Sequence, residues 1–329
     1  MKIDDVAAAL GISKGTVSRA ITGHGRIAPA TRQRVLDYMT AHDFHPNTIA
    51  QSLSRRKTMN IAFTVPSARE LTQLPFFLQC LVGVRRQAVA HAYDTLVVDN
   101  TYADVQRVVS QQKVDGVIVS RNLVGSRLLG YLAGTGLPFV LIGTTPRADV
   151  IQIDHDHRTA CRELTTRLLD QWSGTPGLIA GSGAHLVTRA RAKGFRDGAP
   201  GAPIAWGATD ERSVVTAFRA LRDQGVDLVF CEDDMICGCL ESNLRTGRLG
   251  TKRDTLRVAS FYDSPLLEAL NPDVPVLRFD ADDLGAQAAT LLLARLSGQT
   301  VQNMCLSYAI ITDRSDRKAV PSLLKGNKE

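Results

Sequence analysis

The sequence predicts an α/β protein in two parts: an N-terminal all-α head carrying a helix-turn-helix, and a two-lobed body with two doubly wound parallel sheets. Three observations lead there. Apolar residues in the first segment recur at the helical period. From Asn60 onward, short apolar runs alternate with helical patterns, the mark of parallel strands covered by helices. The chain's 329 residues also exceed what one core organises, which favours two or three units.

The head divides into three helices. Ile3, Val6, Ala7 and Leu10 keep helical spacing until Gly11 breaks the run. Ser13 is a natural N-cap for a second helix through "KGTVSRAI". Ala7 is small where two helices must approach, Gly11 sits at the turn, and Val17 closes the contact, which is the helix-turn-helix spacing. A third helix, "PATRQRVLDYMTAHDF", opens on Pro29 and is expected to bury Val35, Leu36, Met39 and Phe44.

In the body, strand-like runs are "IAFTV", "TLVV", "VDGVIVS", "PFVLIG", "VIQID", "PGLIAG", "VDLVFC", "LRVASF", "PVLRF" and "LSYAII". Helical patterns such as "LVGVRRQAVAHA" and "LGAQAATLLLARLSG" fall between most of them. These are too many for one sheet, so two similar lobes are expected, with a ligand cleft outside the strand C-termini.

Charge indicates a partner. The net charge is +6, and residues 1–57 carry nine Lys and Arg against four Asp, so nearly all the excess lies in the head. A compact basic head on a near-neutral body suits a polyanion. Its second helix is the element that would enter a major groove. Lys14 and Arg19 can donate to guanine edges or phosphate, and Thr16 and Ser18 can reach either. Gly15 cannot read a base with a side chain, and its cost of roughly 1 kcal/mol suits close approach of backbone to DNA. Ser13 and Arg26 complete the DNA-contacting set expected in the head.

Other classes are poorly supported. Hydrophobic content of 44% indicates a globular chain, and no apolar run is long enough to span a bilayer. The start "MKIDDVAAALG" has acids where a signal peptide has its apolar run, so a cytoplasmic location is expected. The six cysteines are scattered without a C-x-x-C pair and read as buried reduced thiols. "GSGAHL" lacks the third glycine of a dinucleotide loop, and no P-loop or nucleophile elbow appears. His155 and His157 are alternate residues at a strand-to-helix junction and read as solvated, so neither metal nor cofactor is expected.

"IDDVAAALGISKGTVSRAI…TRQRVLDYM…HPNTIAQSLSRRK" resembles the headpiece of the LacI/GalR family of bacterial transcriptional repressors, and the likeness extends loosely over the body. The resemblance implies a hinge helix opened by Pro46 and Asn47, folded only on DNA, with Leu53 wedged into a minor-groove base step. "TIAQSLSRR" is too short to be a stable helix alone, and an apolar residue among basic ones suits such a wedge, although packing against the body would also explain Leu53. Asn47, Ala50, Leu53 and Arg55 are the DNA-contacting residues expected in the hinge.

It further implies a body like periplasmic sugar-binding proteins, with crossings between lobes near residues 154, 282 and 309. Head, hinge and body would then occupy 1–46, 47–57 and 58–329, the N-lobe 58–154 and 283–308, and the C-lobe 155–282 and 309–321. "RAKGF" resembles the family's R-x-x-G-F, whose arginine binds effector oxygens, which maps to Arg191. By the same likeness Glu232 replaces a ligand-contacting asparagine, Tyr262 replaces an aspartate, and Asp263 keeps the next one, or else caps the following turn. Gly143 stands where many members have aspartate, and Arg212 where an aromatic often stacks, with Trp206 a few residues earlier.

Loss of those acceptors, with Arg191 and Arg212 both expected at the cleft, favours an acidic or phosphorylated effector, and Glu232 argues the other way. The function implied is a repressor that binds a pseudo-palindromic operator as a homodimer, under control of a small sugar-class effector. No terminal heptads suggest a tetramer. The rival readings are a sugar-binding protein without DNA function and a small-molecule enzyme; the first leaves the basic head unexplained, and the second lacks a catalytic constellation.

Overall fold

A computed structural model describes residues 1–22, 25–44, 57–66, 75–251, 253–313 and 315–317. The chain forms two compact units, Met1–Thr58 and Met59–Glu329. The hinge residues Asn47, Ala50, Leu53 and Arg55 lie outside the described residues.

In the head, α1 spans Ile3–Leu10, α2 Lys14–Thr22 and α3 Pro29–Ala41. Gly11 ends α1 in the left-handed region at φ +66°, where its N–H donates to the carbonyls of Ala7 and Ala8. Ser13 caps α2, its Oγ accepting from the Thr16 N–H at 3.1 Å. Val6, Ala7, Val17, Ala20, Val35 and Phe44 form the core. Leu36 and Met39, expected inside, are half-buried. A core this small leaves only a thin margin of stability.

The body has two six-stranded sheets. The first contains β1 (Asn60–Val65), β2 (Asp94–Asp99), β3 (Gly116–Val119), β4 (Phe139–Ile142), β5 (Gln152–His155) and β11 (Met304–Leu306), all paired in parallel in the order β11-β5-β4-β3-β1-β2. Helices α4 (Pro75–Ala90), α5 (Tyr102–Ser110), α6 (Leu128–Thr135) and α12 (Ala281–Leu296) belong to this lobe. Ile61, Phe63 and Val65 point to the face packed by α4 and α12, whereas Ala62 joins Val117, Val119 and Leu141 in the core on the other face. With both faces covered, the strands read as continuous apolar runs.

The second sheet contains β6 (Pro176–Ile179), β7 (Ile204–Ala205), β8 (Leu228–Cys231), β9 (Arg257–Ser260), β10 (Val276–Arg278) and β12 (Ala309–Ile311), ordered β12-β10-β9-β8-β6-β7. Only β12 runs antiparallel to its neighbour among these pairs. Its lobe carries α7 (His157–Gln171), α8 (Leu186–Gly198), α9 (Glu211–Arg222), α10 (Asp234–Arg245) and α11 (Pro265–Leu270). The chain passes between the sheets after β5, after β10, and between β11 and β12. "LSYAII" is therefore two strands rather than one, because the chain changes sheet at Ser307 and Tyr308. β7 has only two residues and carries no periodic signal.

Each lobe contains a helix pair that crosses on glycine. A Cβ at Gly83 of α4 would sit 1.9 Å from the Asp282 carbonyl oxygen, and one at Gly285 of α12 would sit 2.0 Å from that of Cys80. In the second lobe a Cβ at Gly194 of α8 would meet the Arg158 carbonyl oxygen of α7 at 2.3 Å. Four cysteines are buried as expected, but Cys239 is half-buried and Cys305 exposed, the latter because β11 is a sheet edge. No helix among the described residues is long and apolar enough to cross a membrane.

Candidate DNA-reading face and effector cleft

In α2, burying Val17 and Ala20 turns Ser13, Lys14, Gly15, Ser18 and Arg19 outward, with Thr16 half-exposed; Arg26 is also exposed. The outward groups are lightly held. Lys14 Nζ lies 2.9 Å from Asp4, with both side chains at least 60% exposed, a pairing worth under about 1 kcal/mol. A phosphate or base edge can displace it. Among the described residues, Arg19 makes a long 3.4 Å contact to Thr16 Oγ1, which also lies 2.8 Å from Ser13 Oγ. A Cβ at Gly15 would meet nothing nearer than Ser13 Oγ at 3.8 Å. Packing among the described residues of the head therefore gives no reason for this glycine.

The body holds a cavity of about 530 Å³ between its lobes, at the C-terminal ends of the parallel strands. Ser120, Arg121 and Asn122 follow β3, Gly143 and Thr144 follow β4, and Asp154 is the penultimate residue of β5. Gly181 and Ser182 follow β6, Glu232, Asp233 and Asp234 follow β8, and Tyr262 follows β9. Gly143 has φ +121°, so an aspartate there would be strained.

Arg191, Glu232 and Tyr262 meet in this cavity. Arg191 is buried on α8; its Nη1 donates to the Glu232 carbonyl at 3.0 Å and lies 3.7 Å from Glu232 Oε1. Its guanidinium carbon stands 5.7 Å from the centroid of the Tyr262 ring. Glu232 accepts from the Gly181 N–H at 2.9 Å and from Thr188 Oγ1 at 2.8 Å. One oxygen therefore holds the β6 loop and the other Thr188 of α8, with Arg191 at ion-pair distance from the latter. Burial, with Asp234 nearby, raises the Tyr262 phenol well above its ordinary value. Phe76 meets Tyr262 edge-on at 6.0 Å, which extends an apolar wall across both lobes.

Two expected effector residues lie elsewhere. Arg212 is exposed in the first turn of α9 and does not line the cavity, whereas Glu211, about 100° round the helix, does. Asp263 is buried outside the cavity lining; its Oδ2 accepts from Arg278 Nε and Arg317 Nη1, each at 2.9 Å, and from Arg278 Nη2. Nor does Asp263 cap the following turn; Ser264 does, accepting from the Leu267 N–H at 3.2 Å. Asp234, two residues beyond Glu232 and not among the expected effector residues, also lines the cavity. Burial and the adjacent Asp233 push the Asp234 carboxyl up to about 6. His155 and His157 are buried rather than solvated, because Phe279 packs against both rings. Burial pushes the His155 imidazole down to about 3.

A helix-turn-helix head joined to a two-lobed body with its cavity at the strand ends is the architecture of a ligand-binding transcription regulator. Residues 2–47 match the family model "Bacterial regulatory proteins, lacI family", and residues 58–205 match "Periplasmic binding proteins and sugar binding domain of LacI family". The HTH-type transcriptional regulator MalR of Staphylococcus xylosus is 31% identical over 199 residues, 58% of this chain and 59% of that protein. The regulator CelR of Thermobifida fusca is 26% identical over 317 residues, covering 91% of this chain and 93% of CelR. A CelR–cellobiose complex superposes with a TM-score of 0.69 at 26% identity, over 94% of this chain and 98% of that one. The lac repressor dimer bound to operator and the anti-inducer ONPF shares the fold, with a TM-score of 0.79 at 19% identity over 96% of this chain and 99% of that one. The chain belongs to the LacI family of bacterial transcriptional regulators.

Proposed function

We propose that the protein is a repressor that binds a pseudo-palindromic operator as a homodimer, with its affinity set by a neutral sugar in the inter-lobe cleft. The observation that carries the choice of ligand is the charge of the cavity wall. Asp154, Asp210, Glu211, Glu232, Asp233 and Asp234 line it, against Arg121 and Arg191. Arg191 is already tied to Glu232, so an added phosphate or carboxylate would face mainly like charge. A polyol fits better: its hydroxyls can donate to Asp154 and Asp234 and accept from Arg191, and its C–H faces can lie on Phe76 and Phe77. The cellobiose seen with CelR is a neutral sugar of this kind. This reading departs from the expectation of an acidic effector, which rested on missing hydroxyl acceptors and on Arg191 and Arg212 both facing the cleft.

The homodimer is supported by exposed apolar side chains in both lobes. Leu78, Val82 and Val89 are exposed along one side of α4, Val97 is exposed on the edge strand β2, and Leu266 and Leu270 are exposed on α11. A two-fold contact would bury such a surface and present two heads to two half-sites. Asn47, Ala50, Leu53 and Arg55 would supply the hinge contacts. Calorimetric titration with matched neutral sugars, sugar phosphates and sugar acids tests the ligand, and salt-dependent operator binding by fluorescence anisotropy, with and without the hit, tests the response. Binding confined to the phosphorylated or acidic partner would overturn the neutral-sugar assignment.

A further inference from the structure

Where β5 runs into α7 the chain reads Asp154-His155-Asp156-His157, and three of these side chains converge. One ligand atom from each of Asp154, His155 and His157 lies within 4.8 Å of the other two. His157 Nε2 stands 3.2 Å from Asp154 Oδ1. Both rings pack against Phe279, at centroid distances of 4.8 and 4.7 Å, and Phe279 lies on the crossing between β10 and α12. His155 is 3% exposed and His157 9%. His155 Nε2 and His157 Nδ1 are nonetheless buried without a hydrogen-bond partner among the described residues. Buried imidazole nitrogens left unpaired are costly, and each such group calls for a physical reason.

We propose that Asp154, His155 and His157 form a site for a divalent transition-metal ion. Two imidazoles and one carboxylate suit Zn²⁺, Ni²⁺ or Co²⁺ and offer too few oxygens for Ca²⁺ or Mg²⁺. Bonds of about 2.0–2.1 Å at a tetrahedral ion place donors roughly 3.3 Å apart. Loading the ion requires the two rings to rotate and close the present spacing. Three protein ligands leave a coordination position open, and a second hollow of about 430 Å³, lined by the same three residues and Cys305, gives it access to solvent. Asp154 and Asp156 supply negative charge, while Arg191, the cation facing His155, is itself held by Glu232. An ion here would clasp the end of β5 to the first turn of α7, at one of the passages between lobes. Asp154 and His157 also line the effector cavity, so the ion would form part of its wall.

The test uses the full-length protein, free of any histidine tag and stripped of metal with a chelator, titrated with Co²⁺ followed by absorption and with Zn²⁺ followed by calorimetry. The expected result is one equivalent bound with the visible bands of nitrogen-ligated Co²⁺, weakened roughly tenfold or more in His155→Gln and in His157→Gln. His185→Gln, at a cleft histidine outside the cluster, should bind as the unmodified protein does. Should the two cluster variants fail to fold, the thermal midpoint of the unmodified protein decides: Zn²⁺ should raise it by several degrees and Mg²⁺ should not. Absence of any uptake or midpoint rise, or uptake unchanged in both variants, would overturn the site and leave a buried water as the partner of these nitrogens.

Discussion

Glu232→Gln tests whether the cleft is organised by a buried ion pair. Glu232 and Arg191 have side chains 5% and 9% exposed, and the carboxylate also holds the Gly181 N–H and Thr188 hydroxyl. Breaking a buried pair by removing one partner costs roughly 3–5 kcal/mol, because the other charge is left uncompensated. Glutamine can keep both hydrogen bonds, its carbonyl oxygen accepting from the Gly181 N–H and its amide donating to the Thr188 hydroxyl, which turns to accept. What it removes is the charge opposite Arg191, and a hydrogen bond to a charged group contributes about 1.5–3 kcal/mol. The expected loss is therefore about 2–4 kcal/mol, within the 5–15 kcal/mol margin of a typical domain. Urea denaturation followed by tryptophan fluorescence reads this directly, since Trp172 and Trp206, the chain's two tryptophans, both lie in the lobe that holds Glu232. Adding Arg191→Met should recover about 1–2 kcal/mol, because the orphaned guanidinium is gone. A loss under about 0.5 kcal/mol in the single variant, or strictly additive losses in the double, would refute the argument.

Gly83→Ala should destabilise the body by about 1–3 kcal/mol, since its methyl would overlap the Asp282 carbonyl, and the urea midpoint should fall accordingly. Gly15→Ala should do the opposite in the head. Its Cβ would make one ordinary contact, to Ser13 Oγ at 3.8 Å, among the described residues, so α2 gains about 1 kcal/mol, measurable in the head's thermal unfolding, while operator affinity falls if the backbone approaches DNA there. Arg19→Ala should cost about 1–3 kcal/mol in operator binding by anisotropy, with stability unchanged, as the side chain is exposed. Asp234 gives a signed pH effect. Its carboxyl, raised to about 6 by burial and then by Asp233, favours folding at low pH, and that benefit is lost as pH rises through about 6. Asp234→Asn should therefore gain on the unmodified protein by about 1 kcal/mol between pH 5 and 7.5 in matched denaturation curves.

Several features were legible because their causes are local. Gly11 and Ser13 mark the turn through backbone and cap chemistry within four residues, and Val17 and Val35 follow from helical period. The parallel strands could be read from their apolar runs, since both faces of each sheet are covered. Arg191 was reached by resemblance, and it does line the cavity. Asp263 was misread for a non-local reason: its partners Arg278 and Arg317 lie 15 and 54 residues along the chain, and no short pattern links them.

By itself, the sequence determined the kind of molecule: a basic helix-turn-helix head on a two-lobed α/β body, because period, capping and net charge are properties of neighbouring residues. Only the tertiary structure decided what the cleft contains. It turned Arg212 away by one step of helix, locked Asp263 between two arginines, and gathered six acids at the cavity wall. It also buried His155 and His157 against Phe279, more than 120 residues further on. The charge and solvation that a side chain experiences depend on which distant segments fold against it, and that is set by packing rather than by order along the chain.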